Sequence, residues 1–209
     1  DRIASGMVNQ AITTSAIYAD LCMGTYPKYK PESVKKSAFY LENANTQSKN
    51  YVDAYGLFNS QLLTIAPTGT LSTMLGVSGG IEPIFANYYE RKTESLHGHD
   101  EYYKVYTPIV KKYMEENNIS DDSDLPNFFV TAQNLNYKDR IAMQSVWQKH
   151  IDASISSTVN VPNDFTVEDV MDLYITAWRE GLKGVTIFRD GCKRTGVLST
   201  NEHKEKEKE

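Results

Sequence analysis

The sequence predicts an α/β fold, and three observations carry that expectation. Short apolar and β-branched runs of strand length recur at 61–65, 127–131, 157–161 and 184–188. Stretches with apolar residues every three or four positions lie between them, as amphipathic helices require. The runs are apolar on both faces, which is the pattern of parallel strands covered by helices. About four mostly parallel strands with about six surrounding helices are expected, too few to close a barrel. The array therefore reads as an open sheet or a segment of a larger barrel.

In order, Asp1 to Leu21 reads as a helix with Ile3, Met7, Ala11, Ile17, Tyr18 and Leu21 as its apolar stripe. The chain opens on Asp1 rather than methionine and reads as cut from something longer. Gly24, Pro27 and Pro31 punctuate, and Pro31-Glu32 suits the first turn of a second helix through about Asn59, with the polar 43–50 stretch able to split it. From Gln61, Leu62 to Ile65 form a buried strand ending at Ala66-Pro67, and a helix starts near Thr70. Asn136 to Ser154 places Met143, Val146, Trp147, His150 and Ile151 on one helical face. Thr166 to Glu180 does the same with Val170, Leu173, Tyr174, Ala177 and Trp178. Thr166 with Asp169 three residues on forms a capping-box pattern, and Gly181 suits a left-handed cap. The expected organisation is a helical part over 1–60, a strand and helix part over 61–200, and a disordered charged tail over 201–209 that ends in alternating Lys and Glu.

Composition excludes several classes of function. Twenty-seven acidic against 22 basic residues give a formal charge of -5, which argues against a broad cationic surface for DNA or RNA. No apolar run approaches the roughly 20 residues of a membrane helix. Two cysteines, Cys22 and Cys192, cannot form a disulfide framework, and a reducing cytoplasm is the expected compartment.

The segment Leu62 to Gly76 carries the chemistry. A strand ends at Pro67, a polar turn with a permissive glycine follows, and a helix begins, so unpaired amides and the hydroxyls of Thr68, Thr70 and Ser72 gather at one corner. A phosphate suits such a corner; so does a merely well-capped turn. It is not a Walker loop, lacking the Gly-Lys-Ser/Thr ending.

Leu63-Thr64-Ile65-Ala66-Pro67-Thr68-Gly69-Thr70 followed by Gly76-Val77-Ser78-Gly79-Gly80-Ile81-Glu82-Pro83-Ile84-Phe85 closely resembles the adenosylcobalamin-dependent (class II) ribonucleotide reductases. Three later segments agree in order: Phe129-Val130-Thr131-Ala132, Gln148 to Asp164, and Gly181 to Gly191. The resemblance spans about Gln61 to Leu198 well and the first 60 residues loosely. It implies the C-terminal segment of a ten-stranded α/β barrel, a cobalamin cofactor, and conversion of ribonucleotides to deoxyribonucleotides for DNA synthesis. It implies that Pro67, Thr68, Gly69, Thr70, Leu71 and Ser72 hold the phosphates of a ribonucleotide substrate. A thioredoxin-type reductant, the N-terminal remainder of the reductase and a second copy of the chain are the implied partners. Iron-dependent relatives carry adjacent tyrosines on the last strand, where this chain has Ile187-Phe188, and that difference favours the cobalamin class.

The family's radical and redox cysteine motifs are absent, since neither Cys22 nor Cys192 has a matching context, so no catalytic residue is assigned and the isolated chain is expected to be inactive. A stand-alone nucleotide-binding or subunit-association module of a split or degenerate reductase is the alternative. Other residues have plain readings. His97-Gly98-His99 lacks a third ligand and reads as a polar loop, His150 as a packed core histidine, and Glu115-Glu116 and Asp121-Asp122 as exposed charge on a loop. Glu82 either caps a neighbouring helix or reaches into the pocket. Tyr88, Tyr89, Tyr102, Tyr103 and Tyr106 either stack on a base or pack between helices.

Overall fold

Eight helices and four strands are built by residues 1–22, 24–94 and 100–192, which the structure, a computed structural model, describes, with backbone alone at 90–94 and 100–102. The first part is helical: α1 (Arg2–Cys22), α2 (Pro31–Lys35), α3 (Ala38–Asn43) and α4 (Thr46–Tyr55). The expected single helix from Pro31 is thus three, because polar side chains restart it. Ser37 Oγ accepts from the Tyr40 amide, and Asn45 Oδ1 accepts from the Ser48 amide, each capping a new helix.

The α1 stripe also differs from the expected one. Ala4, Val8, Ile12, Ala16 and Ala19 are buried, whereas Ile3, Met7, Tyr18 and Leu21 are exposed. The buried set is small and spaced four apart, so α4 can approach closely, and Val8, Ile12 and Ala16 pack with Tyr40, Ala44, Val52 and Leu57. Two polar contacts seal that interface: Thr13 Oγ1 lies 3.2 Å from Ser48 Oγ, and Ser15 Oγ donates to Asn59 Oδ1.

The second part carries α5 (Gly69–Leu75), the hairpin β1 (Tyr88–Glu94) and β2 (Asp100–Tyr106), α6 (Pro108–Asn117), α7 (Tyr137–Gln148), β3 (Thr158–Val161), α8 (Val167–Arg179) and β4 (Thr186–Arg189). Strands β3 and β4 are parallel, with Thr158 opposite Thr186 and Val161 opposite Arg189. The expected strand near Leu62 is present as an extended run with one parallel bridge, Ile65 to Ile155. Their core is Ile141, Val159, Val161, Leu173 and Ala177. Helix α8 has the capping box, with Thr166 Oγ1 accepting from the Asp169 amide at 3.1 Å. Its buried face is narrower than expected: Tyr174 and Trp178 are exposed.

Four further expectations are corrected. The run 127–131 is not a strand, because Phe129 N closes a turn on Pro126 and the rings of Phe128 and Phe129 pack on Tyr113 of α6 instead of on a sheet. The expected mostly parallel set is therefore one parallel pair, one bridge and an antiparallel hairpin. The hairpin, not a helix pair, holds the tyrosines, and the Tyr88 and Tyr106 rings meet edge-on at 5.9 Å. Helix α7 turns a polar face inward, burying Arg140, Gln144, Ser145 and Gln148 with Ile141, while Met143 is exposed. Gln144 Nε2 donates to Gly184 O, Ser145 Oγ to Glu180 O, and Gln148 Nε2 to Ile151 O and Ala153 O. These bonds satisfy carbonyls of the segments that flank the helix. The tail over 201–209 lies outside the described residues.

Asp152 anchors the start of the second part. Its carboxylate accepts from the amides of Leu62 and Leu63, both at 2.7 Å, just before the run that bonds to 153–156. Charge-assisted bonds of this kind contribute more than neutral ones. Asp152→Ala is expected to cost about 3 kcal/mol and Asp152→Asn about half of that, read as the shift of a urea unfolding midpoint.

Two phenols test the packing by titration. Burial pushes Tyr40 up to about 12, and the hydrogen bond to Asp172 pushes Tyr137 up to about 12. A raised folded value means that the stabilisation is present below pH 10 and lost as pH climbs through about 12. Phenolate absorbance should therefore show a late-titrating pair, and Asp172→Asn should return Tyr137 toward its ordinary value while leaving Tyr40 late.

Candidate anion-binding turn

Backbone geometry, rather than any charged side chain, defines the corner between Ile65 and α5. The first helical bond of α5 runs from Ser72 N to Thr68 O, at 2.8 Å. The amides of Gly69, Thr70 and Leu71 precede it and have no intrahelical acceptor. Among the described residues no other acceptor is bonded to them. Nothing lies within 4 Å of where a Gly69 side chain would start, and Thr70 and Leu71 are exposed. The corner is open, and the expected residues Pro67 to Ser72 are together in it.

The hydroxyls are not equivalent. Ser72 Oγ donates to Gly69 O at 2.8 Å, so its proton is committed within the turn rather than free for a ligand as the sequence had implied. Thr73 Oγ1 donates to the same carbonyl, a role without a signature in the sequence. Thr68 Oγ1 accepts from the Gly80 amide at 3.0 Å and so keeps its own proton to give.

Behind the turn lies the segment Gly76 to Glu82. A side chain at Gly79 would start 2.8 Å from Ser72 Oγ and 3.3 Å from Thr68 Oγ1, so only glycine permits this approach. Gly80 follows at φ +56°, a second position that favours glycine. Glu82 meets strand backbone instead of capping a helix: its Oε1 accepts from Thr158 N, the first residue of β3, at 2.5 Å and lies 3.7 Å from Arg140 Nη2. Arg140 is buried, and Nη2 donates to Thr158 O at 2.7 Å. Burial lowers its pKa, with the Glu82 charge opposing that shift.

The other candidates fall outside this corner. His150 lies just past α7, not on its apolar face, with Nδ1 2.6 Å from Asn43 Oδ1 and Nε2 2.8 Å from Asp1 Oδ1. Burial holds its pKa below the ordinary value even so, because the Asp1 carboxylate is exposed and therefore screened. Glu115 and Glu116 are on α6, facing Lys111 and Lys112 one turn earlier. Asp122 is not idle charge: it accepts from Lys104 Nζ at 2.5 Å and Tyr106 Oη at 3.0 Å, tying the hairpin to the 122–124 turn. His97 and His99 lie outside the described residues. Among the described residues no group of three His, Cys, Asp or Glu side chains is placed to hold a metal ion, and neither Cys22 nor Cys192 is in a disulfide. No described helix is long and apolar enough to cross a membrane.

Comparison with known proteins is consistent with this geometry. The family described as "Ribonucleotide reductase, barrel domain" matches residues 1–188. The vitamin B12-dependent ribonucleoside-diphosphate reductase of Mycobacterium tuberculosis is 31% identical over 158 residues, which cover 68% of this chain and 22% of the relative. That of Thermoplasma acidophilum is 32% identical over 162 residues, with 68% and 20% covered. The vitamin B12-dependent ribonucleotide reductase of Rhodopirellula baltica is 30% identical over 184 residues, with 74% and 17% covered. The chain spans about a fifth of the length of the curated relatives it matches. Over residues 1–188, from α1 to the paired strands β3 and β4, this chain belongs to the ribonucleotide reductase barrel-domain family.

Proposed function

We propose that the turn from Pro67 to Ser72 holds the phosphates of a ribonucleotide in a cobalamin-dependent ribonucleotide reductase of which this chain forms the C-terminal barrel segment. The observation that carries this reading is the set of three successive amides, Gly69, Thr70 and Leu71, without an acceptor among the described residues around an open position. Amides and the Thr68 hydroxyl grip an anion through hydrogen bonds and need no cation, as suits a chain of net charge -5.

In the whole enzyme the reaction replaces the ribose 2′ hydroxyl with hydrogen, and adenosylcobalamin supplies the initiating radical when bound. What the turn supplies is backbone amides and the Thr68 hydroxyl, so the part proposed for it is binding and orientation. A thioredoxin-type protein is the expected reductant, the cytoplasm the expected setting, and the N-terminal remainder the expected partner, with a second copy also a candidate. The exposed apolar side chains Val167, Met171, Tyr174, Ile175 and Trp178 of α8 support association with such a remainder. They equally suit a subunit-association module of a split reductase, and co-purification with an N-terminal half distinguishes a split enzyme from a degenerate one.

Two measurements test the reading. The chain should bind ribonucleoside diphosphate or triphosphate in calorimetry, and Gly69→Asp, which sets a like charge against the phosphates, should weaken binding at least about tenfold. Equal affinity of both proteins would remove the assignment. The 209-residue chain alone should reduce no ribonucleotide, and turnover by it would overturn the restriction to binding.

A further inference from the structure

Helix α8 has two apolar rows, and only one of them is covered. Leu173 and Ala177 are inside, packed with Ile141, Val159 and Val161. Val167, Met171, Tyr174 and Trp178 are outside, with Val167 71% and Trp178 77% exposed. Their spacings of four, three and four residues set them on one line down the helix, as in the seam of a coiled coil, and Ile175 lies beside it. Among the described residues nothing packs over that line.

The order of sizes and charges along the line matches itself. When a second α8 is laid antiparallel about a two-fold axis midway between Met171 and Tyr174, Val167 falls opposite Trp178 of the second copy, and Met171 opposite its Tyr174. Each ring then meets a small or a flexible side chain. Charge follows the same order. Glu168 and Arg179 stand on the same side of the seam at opposite ends of the helix, and the two-fold axis keeps that side common to both copies. Glu168 of each copy therefore comes level with Arg179 of the other, and neither has an ion-pair partner among the described residues. The antiparallel helix dipoles add to the match. Covering the row in both copies removes on the order of 1,000 Å² from water, the size of the smaller specific interfaces. The remainder of an enzyme would require only that the row be apolar, whereas small against large and acid against base about one centre is what a second copy requires.

We propose that this face of α8 is a self-association surface, on which a second copy of the chain docks antiparallel through Val167, Met171, Tyr174 and Trp178, with Glu168 paired to Arg179 at both ends. The contact is independent of the turn at Gly69 and of its ligand.

Sedimentation velocity over a concentration series of the 209-residue chain tests it. A monomer-dimer equilibrium with a dissociation constant on the order of ten micromolar is expected for an interface of this size. Trp178→Glu, which sets a carboxylate in the seam, should weaken it at least about a hundredfold. Trp178 is exposed in the single chain, so that variant should keep the circular dichroism of the original. Glu168→Arg and Arg179→Glu each set like charges together at both ends and should weaken association about tenfold, whereas the double reversal should return it to within about threefold of the original. A chain that stays monomeric at about thirty times the expected constant would overturn the proposal and leave α8 to another partner. Dimerisation unaffected by Trp178→Glu would overturn it by moving the contact elsewhere, and a double reversal no stronger than the single ones would overturn the antiparallel pairing.

Discussion

Residues 151–161 must satisfy their backbone on two edges with two different neighbours, and most of the second part of the molecule is arranged around that constraint. From Ser157 to Val161 its odd-numbered groups serve the β4 side, with Ser157 O accepting from Thr186 N and Val161 O from Asp190 N, whereas Ala153 N donates to Leu63 O on the other side. Its even-numbered groups serve the run before the turn, through Ser154 O and Ser156 N on Ile65. Neither neighbour runs the full length. Side chains complete the pairing, with Asp152 on the amides of Leu62 and Leu63, Lys183 Nζ on the Asp152 carbonyl, and Glu82 and Arg140 on Thr158. Because buried backbone groups are costly to leave unmet, these charged side chains are tied to fixed places.

That arrangement explains why α7 is hard to read. Apolar periodicity selects Met143, Val146 and Trp147 as the inner face, yet the helix buries Arg140, Gln144, Ser145 and Gln148. The donors on that face meet carbonyls at 151, 153, 158, 180 and 184, most of them in connecting segments. Hydrophobic pattern reports what an interface excludes from water; it is silent about what a loop needs bonded. Helix α1 misleads for a related reason, since close approach of α4 selects small residues such as Ala4 and Ala16 and leaves the larger Ile3 and Leu21 outside.

Where local chemistry decides, the sequence is legible. The capping box at Thr166, the parallel strands near 158 and 186, and the strand-to-helix turn at Gly69 follow from residue types at fixed short spacings. The hairpin from Tyr88 to Tyr106 is not, because Glu90, Arg91, Lys92 and Thr93 between its tyrosines carry no apolar alternation, and Asp122 anchors it from outside. The site divides the same way. Its position is legible; the commitment of Ser72 to Gly69 and the occupation of Thr68 by Gly80 depend on a segment whose approach no spacing rule announces.

The proposed grip of phosphate by backbone amides has a consequence for radical chemistry. Lysine or arginine at the turn would attract an anion at longer range, but amides fixed by a helix start demand a particular place and direction. Reaction at a ribose carbon depends on where the sugar is held, and an error of an ångström at the phosphates is carried to the sugar through a short linkage. The turn contains no cysteine, tyrosine or tryptophan between Pro67 and Ser72, so the residues nearest the phosphates offer no easily oxidised side chain. As proposed, a grip built from main chain and threonine would supply orientation without supplying a competitor for a radical.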